Sequence, residues 1–426
     1  MLSSWALFAI SMGYVALLFA IAYLGDRRAR LVGAPARKPW VYSLALGVYC
    51  TSWTFYGAVG RAANSGWDFF PIYLGPMLVF VFGAPLLARI VRISKRHNIT
   101  SIADFVGARY GRHQPIAMLI TGIAVIGVLP YVALQLKAVA FGFEVLSGAP
   151  ASEASFFLDS AIFIAALLAA FSILFGTREV VSSENHHGMV LAIAFESVVK
   201  LVAFLGVGLY VMYGLRKGFA DSYGYALNLA QLREPVSDAT WRFGFIAQTI
   251  LAGVAIFCLP RQFHVAVVES AALADVRTAR WLFPAYLALI SIFVVPIAAA
   301  GLEQFGGSQV APDTFVLELP LANGHGWLAL AAYLGGFSAA TSMVIVETIA
   351  LSTMLCNEVV MPVLLRSGKL SHRRGQDVSR LIKTIRRTAI VLIVALAYVY
   401  YRLFTGPGTL AQPVRRSVSV VWFCGG

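Results

Sequence analysis

Charge is what this sequence has least of. Asp, Glu, Lys and Arg supply 12% of its 426 residues, while 59% are hydrophobic. A soluble chain of this length would form about two or three domains; this one has apolar runs too long to keep from water, which places it in a bilayer. Cysteine is also scarce. Cys50, Cys258, Cys356 and Cys424 show no metal-ligand spacing and no paired framework. Cys50 and Cys258 lie inside apolar runs and read as packing residues or free thiols. Catalytic signatures are missing: there is no P-loop, no GxSxG, no HExxH and no GxGxxG opening a helix after a strand. The chain is not expected to be an enzyme. Its net charge of +13 does not point to nucleic acid either, because the basic residues fall between the apolar runs, where they read as topology signals.

Runs of about 20 apolar residues are the spanning unit of a bilayer. They fall at 3–24, 40–63, 69–91, 114–137, 157–176, 188–213, 244–260, 282–301, 327–355 and 386–405. The expected fold class is therefore an all-α membrane protein of about ten transmembrane helices. The first run, Trp5 to Leu24, is span-length with no basic stretch before it, so it is not a cleavable signal. An outside N-terminus makes 25–38, 89–113, 177–187, 261–281 and 356–385 the inner loops. These carry Arg27, Arg28, Arg30, Arg92, Lys95, Arg96, Arg373 and Arg374 among others, whereas outer loops 148–156 and 302–326 have no Lys or Arg. Only 214–243, with Arg216, Lys217, Arg233 and Arg242, dissents, so the N-terminus is expected outside. Within 97–111, Ile99, Ile102, Phe105 and Val106 form the apolar face of a helix expected to lie along the membrane surface.

Two spans are interrupted by small and polar residues: GVYCTSWTFYGAVG (47–60) and AGVAIFCLPRQFHV (252–265). Non-helical backbone at membrane depth is tolerated only where it is buried in protein or lines a cavity. A pair of interruptions in matching places of two halves points to a transporter's binding site. In the first, Gly47, Cys50, Thr51, Ser52, Trp53, Thr54, Gly57 and Gly60 weaken the helix. Freed carbonyls and hydroxyls can then replace water around a cation, and half-helix N–H groups can meet a carboxylate. Small residues at this spacing equally let helices approach closely. SAATSM (338–343) adds three hydroxyls, which in membrane helices often bond back to the preceding turn. Intramembrane ionisable groups are costly unless paired. Glu196 and Lys200 are four apart, the spacing of an ion pair on one helix face. Glu347 has no evident partner; Lys137, after Gln135, is expected to snorkel, and Arg261 and His264 to sit at the inner edge.

Three segments together resemble the sodium:solute symporter family: LPRQFHVAVVESAALADVRTARWLFPAY (259–286), ITSIADFVGARYG (99–111) and LGGFSAATSMVIVETIALSTMLCNEV (334–359). The resemblance runs from about residue 40 to 405. It implies a LeuT-type five-plus-five inverted repeat behind one extra N-terminal helix. Sodium would be the coupling ion, with no cofactor and no other metal. The implied sodium ligands are the backbone of Gly47 and Cys50 and the hydroxyls of Thr51 and Ser342. The second ninth-span hydroxyl falls on Met343, which cannot act as a hard ligand, and Thr341 is the substitute; an acidic residue of proline-type members falls on Tyr49. Ser52, Trp53, Tyr56 and Gln135 are the expected substrate contacts, and Glu196, Lys200 and Glu347 the intramembrane charge network.

LPRQFHV, AFESVVKLVAF and ATSMVIVETIALSTM are closer to a subgroup in which the symporter-like domain is fused to a histidine kinase in Gram-negative bacteria, some members of which are associated with histidine uptake. That resemblance implies the bacterial inner membrane, a small solute such as histidine or proline, and a fused or downstream kinase. Two functions follow: sodium-coupled solute transport, or sensing of the solute for a kinase. Residues 412–426, QPVRRSVSVVWFCGG, do not read as the start of a span. The symporter-like domain is therefore expected over 1–411, with the last repeat helix missing and an atypical tail.

Overall fold

The computed structural model describes residues 3–32, 38–148, 160–176, 187–229, 239–308, 310–367 and 375–404, and among them there are helices and no strands. The tail predicted at 412–426 lies outside the described residues. In chain order the helices are α1 Ser4–Val32, α2 Pro39–Ala45, α3 Ala58–Ser65, α4 Pro71–His97, α5 Ile102–Arg109, α6 Gln114–Ser147, α7 Ser160–Gly176 and α8 His187–Tyr210. There follow α9 Phe219–Asn228, α10 Ala239–Cys258, α11 Pro260–Phe263, α12 Leu273–Phe305, α13 Phe315–Ala322, α14 Gly326–Met354, α15 Met361–Arg366 and α16 Gly375–Phe404.

Seven of these stretches are long and apolar enough to cross a membrane: Ser4–Arg28, Pro71–His97, Gln114–Ser147, His187–Leu215, Trp241–Cys258, Leu273–Phe305 and Gly326–Arg366. The other three expected spans take different forms. Run 40–63 is divided between α2, two irregular turns and α3; 157–176 is represented by the 17-residue α7; and the described part of 386–405 is the C-terminal portion of the 30-residue α16.

The caps follow local chemistry. Pro71 opens α4 where its missing N–H costs nothing, and Lys95, Arg96 and His97 close it against the negative end of the helix dipole. Asn98 then turns left-handed, with φ 52°. Ser101 caps α5 by accepting the Asp104 N–H at 3.0 Å. Part of the apolar face of this segment packs on the protein: Ile99 is buried, and Phe105 meets the Phe263 ring at 5.7 Å. The sequence pattern marks an apolar face without saying what covers it.

Two groups of helices share the core. In one, α12 packs on α2, α3 and α4, and α4 also packs on α10. In the other, α14 packs on α6, α7 and α16. Helix α8 lies against both, touching α2 and α12 on one side and α14 and α1 on the other. The extra N-terminal helix α1 is fastened to α14 by Tyr14, which donates to Ser338 Oγ at 2.9 Å, and by the Ser11–Tyr333 hydroxyl pair at 3.0 Å.

Candidate functional site

The first interrupted span breaks where its residues cannot sustain an α-helix. Helix α2 tightens into a 3-10 turn over Leu46–Tyr49, Cys50 is extended (φ −77°, ψ 99°), and the chain resumes as a wide turn over Trp53–Gly57 before α3. Residues 45–52 are all buried, as broken backbone at this depth must be. A Cβ on Gly47 would come within 2.7 Å of Ser197 Oγ and 3.0 Å of its Cβ, so α8 packs closely on this glycine.

The break frees carbonyls on one side and an N–H on the other, and both are met. Lys200 of α8 donates to Gly47 O at 2.6 Å and Cys50 O at 2.8 Å, with Ser342 Oγ at 3.4 Å. A cation at the carbonyl end of a half-helix is favoured by the aligned peptide dipoles. On the other side, Gln135 Oε1 accepts from Ser52 N at 3.1 Å and Ser52 Oγ at 2.7 Å, capping the second half-helix. Thr51 Oγ1 pairs with the Tyr131 hydroxyl at 2.7 Å.

The second interruption lies between α10 and α11, where Leu259 is extended (ψ 128°) and Pro260 occupies the first position of the new turn. Arg261 follows, 1% exposed, and donates to Glu347 Oε2 at 3.0 Å. Its guanidinium also lies 4.9 Å from the centre of the Tyr131 ring. Tyr131 therefore links the two breaks, and Tyr42 adds a second tie by donating to Ala266 O at 2.7 Å. Beside Arg261, Gln262 is fully buried, and neither its amide nitrogen nor its oxygen has a partner among the described residues. Such an amide is costly to leave unmade and commonly marks a place for another polar group.

Of the expected sodium ligands, Gly47, Cys50 and Ser342 do converge on one point, but that point is the Lys200 nitrogen. Thr51 turns to Tyr131, and Thr341 donates to Glu196 Oε1. Met343 is fully buried. The void beside Lys200, Cys50 and Thr51 is too small for a water molecule. As they stand, these residues do not fit a free sodium ion. The Glu196–Lys200 ion pair suggested by spacing is not formed either, because each side chain has a better partner across a helix interface. Glu347 has the partner the sequence did not reveal.

The expected substrate contacts are divided. Ser52 and Gln135 bond each other, Tyr56 reaches Ala332 O at 3.5 Å on the α14 side, and Trp53 is half-buried. Lys137, expected to snorkel, is buried instead, with Asp313 and Glu144 as its charged surroundings. Arg261 and His264, expected at an inner edge, are also buried; His264 Nε2 lies 3.6 Å from Glu269 Oε1. Tyr131 and Gln262 were not singled out by the sequence. The available signals were Tyr131 sitting one turn before Gln135 and Gln262 following the helix-breaking Pro260.

Two interrupted helices meeting at a buried polar centre are an arrangement found in many secondary transporters. Comparison with solved structures agrees on the fold. The chain is similar to a Na+-coupled sialic acid symporter in its substrate-bound, outward-open state, with a TM-score of 0.70 and 12% identity, over 97% of this chain and 82% of that one. A manganese transporter from Eremococcus coleocola is more remote, with a TM-score of 0.46 and 14% identity over 90% of this chain and 84% of that one. No family model and no curated protein matches the sequence.

Proposed function

We propose that this chain is the membrane domain of a secondary transporter that binds a small organic solute at the two helix breaks and carries it across a bacterial plasma membrane, with the N-terminus outside. One observation carries the reading: polar groups from both interrupted helices, Thr51 and Arg261, meet at Tyr131 in a buried centre. Groups so placed can exchange their bonds to one another for bonds to a solute when the centre opens. The buried amide of Gln262 and the Arg261–Glu347 pair favour a solute carrying both a carboxylate and an ammonium group, such as an amino acid. The resemblance to the kinase-fused subgroup makes histidine the first solute to try and proline the second. A kinase, fused or downstream, would read the occupancy of the same centre.

The test is uptake of labelled histidine or proline into proteoliposomes holding the full chain. Saturable accumulation above protein-free vesicles, suppressed by excess unlabelled solute, is expected. If a full panel of amino acids shows neither uptake nor binding, the reading fails.

A further inference from the structure

The Lys200 side chain enters the first helix break as a cation would. Its nitrogen faces three oxygens from two pieces of chain: the carbonyls of Gly47 and Cys50 in the break and the hydroxyl of Ser342 on α14. Ser342 spends its own proton on Ala339 O at 3.2 Å, so toward Lys200 it can only accept. Three acceptors and no donor around one nitrogen match an ammonium group, which has three N–H bonds and no lone pair. The oxygens are of the hard, neutral kind that otherwise strip water from an alkali ion. The arrangement is therefore a cation site whose cation is covalently part of the chain.

Four ionisable side chains, Lys200, Arg261, Glu196 and Glu347, are buried around the break. Glu347 is engaged by Arg261, and Glu196 by the Thr341 hydroxyl. A free ion held about 4 Å from the ammonium at an effective dielectric of about 20 would bind about a thousandfold more weakly than at the same oxygens without it. There is also no space for it, since the void beside Lys200 does not take a water molecule.

We infer that the Lys200 ammonium permanently replaces a free coupling cation at Gly47, Cys50 and Ser342, so that this chain binds no sodium there and handles its solute without sodium. Only the statement about solute rests on the transport reading; the occupancy of the site does not.

The experiment is equilibrium binding of 22Na+ to the detergent-purified full chain, in a background of potassium, for wild type and Lys200→Ala. Gel filtration and thermal unfolding report whether each protein is folded. The wild type is expected to show no saturable binding. Lys200→Ala, which clears the oxygens, is expected to gain a saturable site of about one ion per chain. Saturable binding by the wild type would overturn the inference, as would a well-folded Lys200→Ala that gains none. Should Lys200→Ala not fold, Lys200→Ser, which keeps a short polar group on α8 and still clears the oxygens, takes its role with the same expected gain. Independently, histidine uptake is expected to be equal in sodium and in choline medium, and a tenfold or greater dependence on sodium would count against the inference. An absence of uptake and binding for the full panel of amino acids in every medium would sink the transport reading alone, because the 22Na+ measurement needs no solute.

Discussion

Arg261 and Glu347 show how much of the centre depends on single side chains. Each is buried, and each is the other's charged partner at 3.0 Å. Removing one member of such a pair leaves an uncompensated charge and costs about 3–5 kcal/mol, whereas replacing both with apolar groups is often neutral. Glu347→Leu is therefore expected to lower stability by about that amount, and Arg261→Met combined with Glu347→Leu to recover most of it. Denaturant unfolding of the detergent-solubilised protein measures both, and an unaffected Glu347→Leu would mean that the pair is not formed. The sequence exposed half of this: an intramembrane glutamate is rare enough to be noticed, but its partner lies 86 residues away. Lys200 teaches the complementary lesson. Spacing put it beside Glu196, yet a residue's own helix does not reveal which neighbouring helix offers a better acceptor.

The unit that matters next is the half-helix. After the break at Cys50, the second half begins with the Ser52 N–H, which Gln135 accepts, while Ser52 gives its hydroxyl to the same oxygen. Gln135→Ala is expected to cost about 1–3 kcal/mol by leaving a buried donor unmade. Its thermal midpoint, read against wild type in the same detergent, checks this; no shift would show that the half-helix does not need the cap. Close packing supplies a second case. A Cβ on Gly336 of α14 would lie 2.0 Å from the Tyr56 hydroxyl, so Gly336→Ala is expected to push α14 from the first break and destabilise by about 1–3 kcal/mol. An unchanged melting curve would contradict that. Both breaks were legible, because glycine, proline and clustered hydroxyls disrupt helices locally. The helix over 102–109 was legible too, but not its contact with Phe263, more than 150 positions downstream.

At the scale of the molecule, orientation is the property the sequence speaks to most directly, since loop charge acts during insertion and leaves its mark on composition. Ser3 and Arg96 are both exposed and lie on opposite sides by this reading. In a background without native cysteines, Ser3→Cys is expected to react with an impermeant maleimide on intact cells, and Arg96→Cys only after lysis. The reverse pattern would invert the topology. The grouping of helices into two packed sets was not legible, because apolar runs of similar composition carry no record of their neighbours.

Helix α8 runs between those two sets, and within little more than one turn it is joined to both. Tyr286 of α12 donates to Ser197 O at 3.0 Å, Ser338 of α14 donates to Glu196 O at 2.9 Å, and Lys200 reaches back to Gly47 and Cys50. It acts as a rivet through two plates. The plates cannot drift apart by degrees, since a half-stretched bond in a dry interior forfeits most of its value and gains no water in return. Any sliding of one set past the other must instead trade this set of partners for another complete one, so the molecule would move by steps between distinct resting positions.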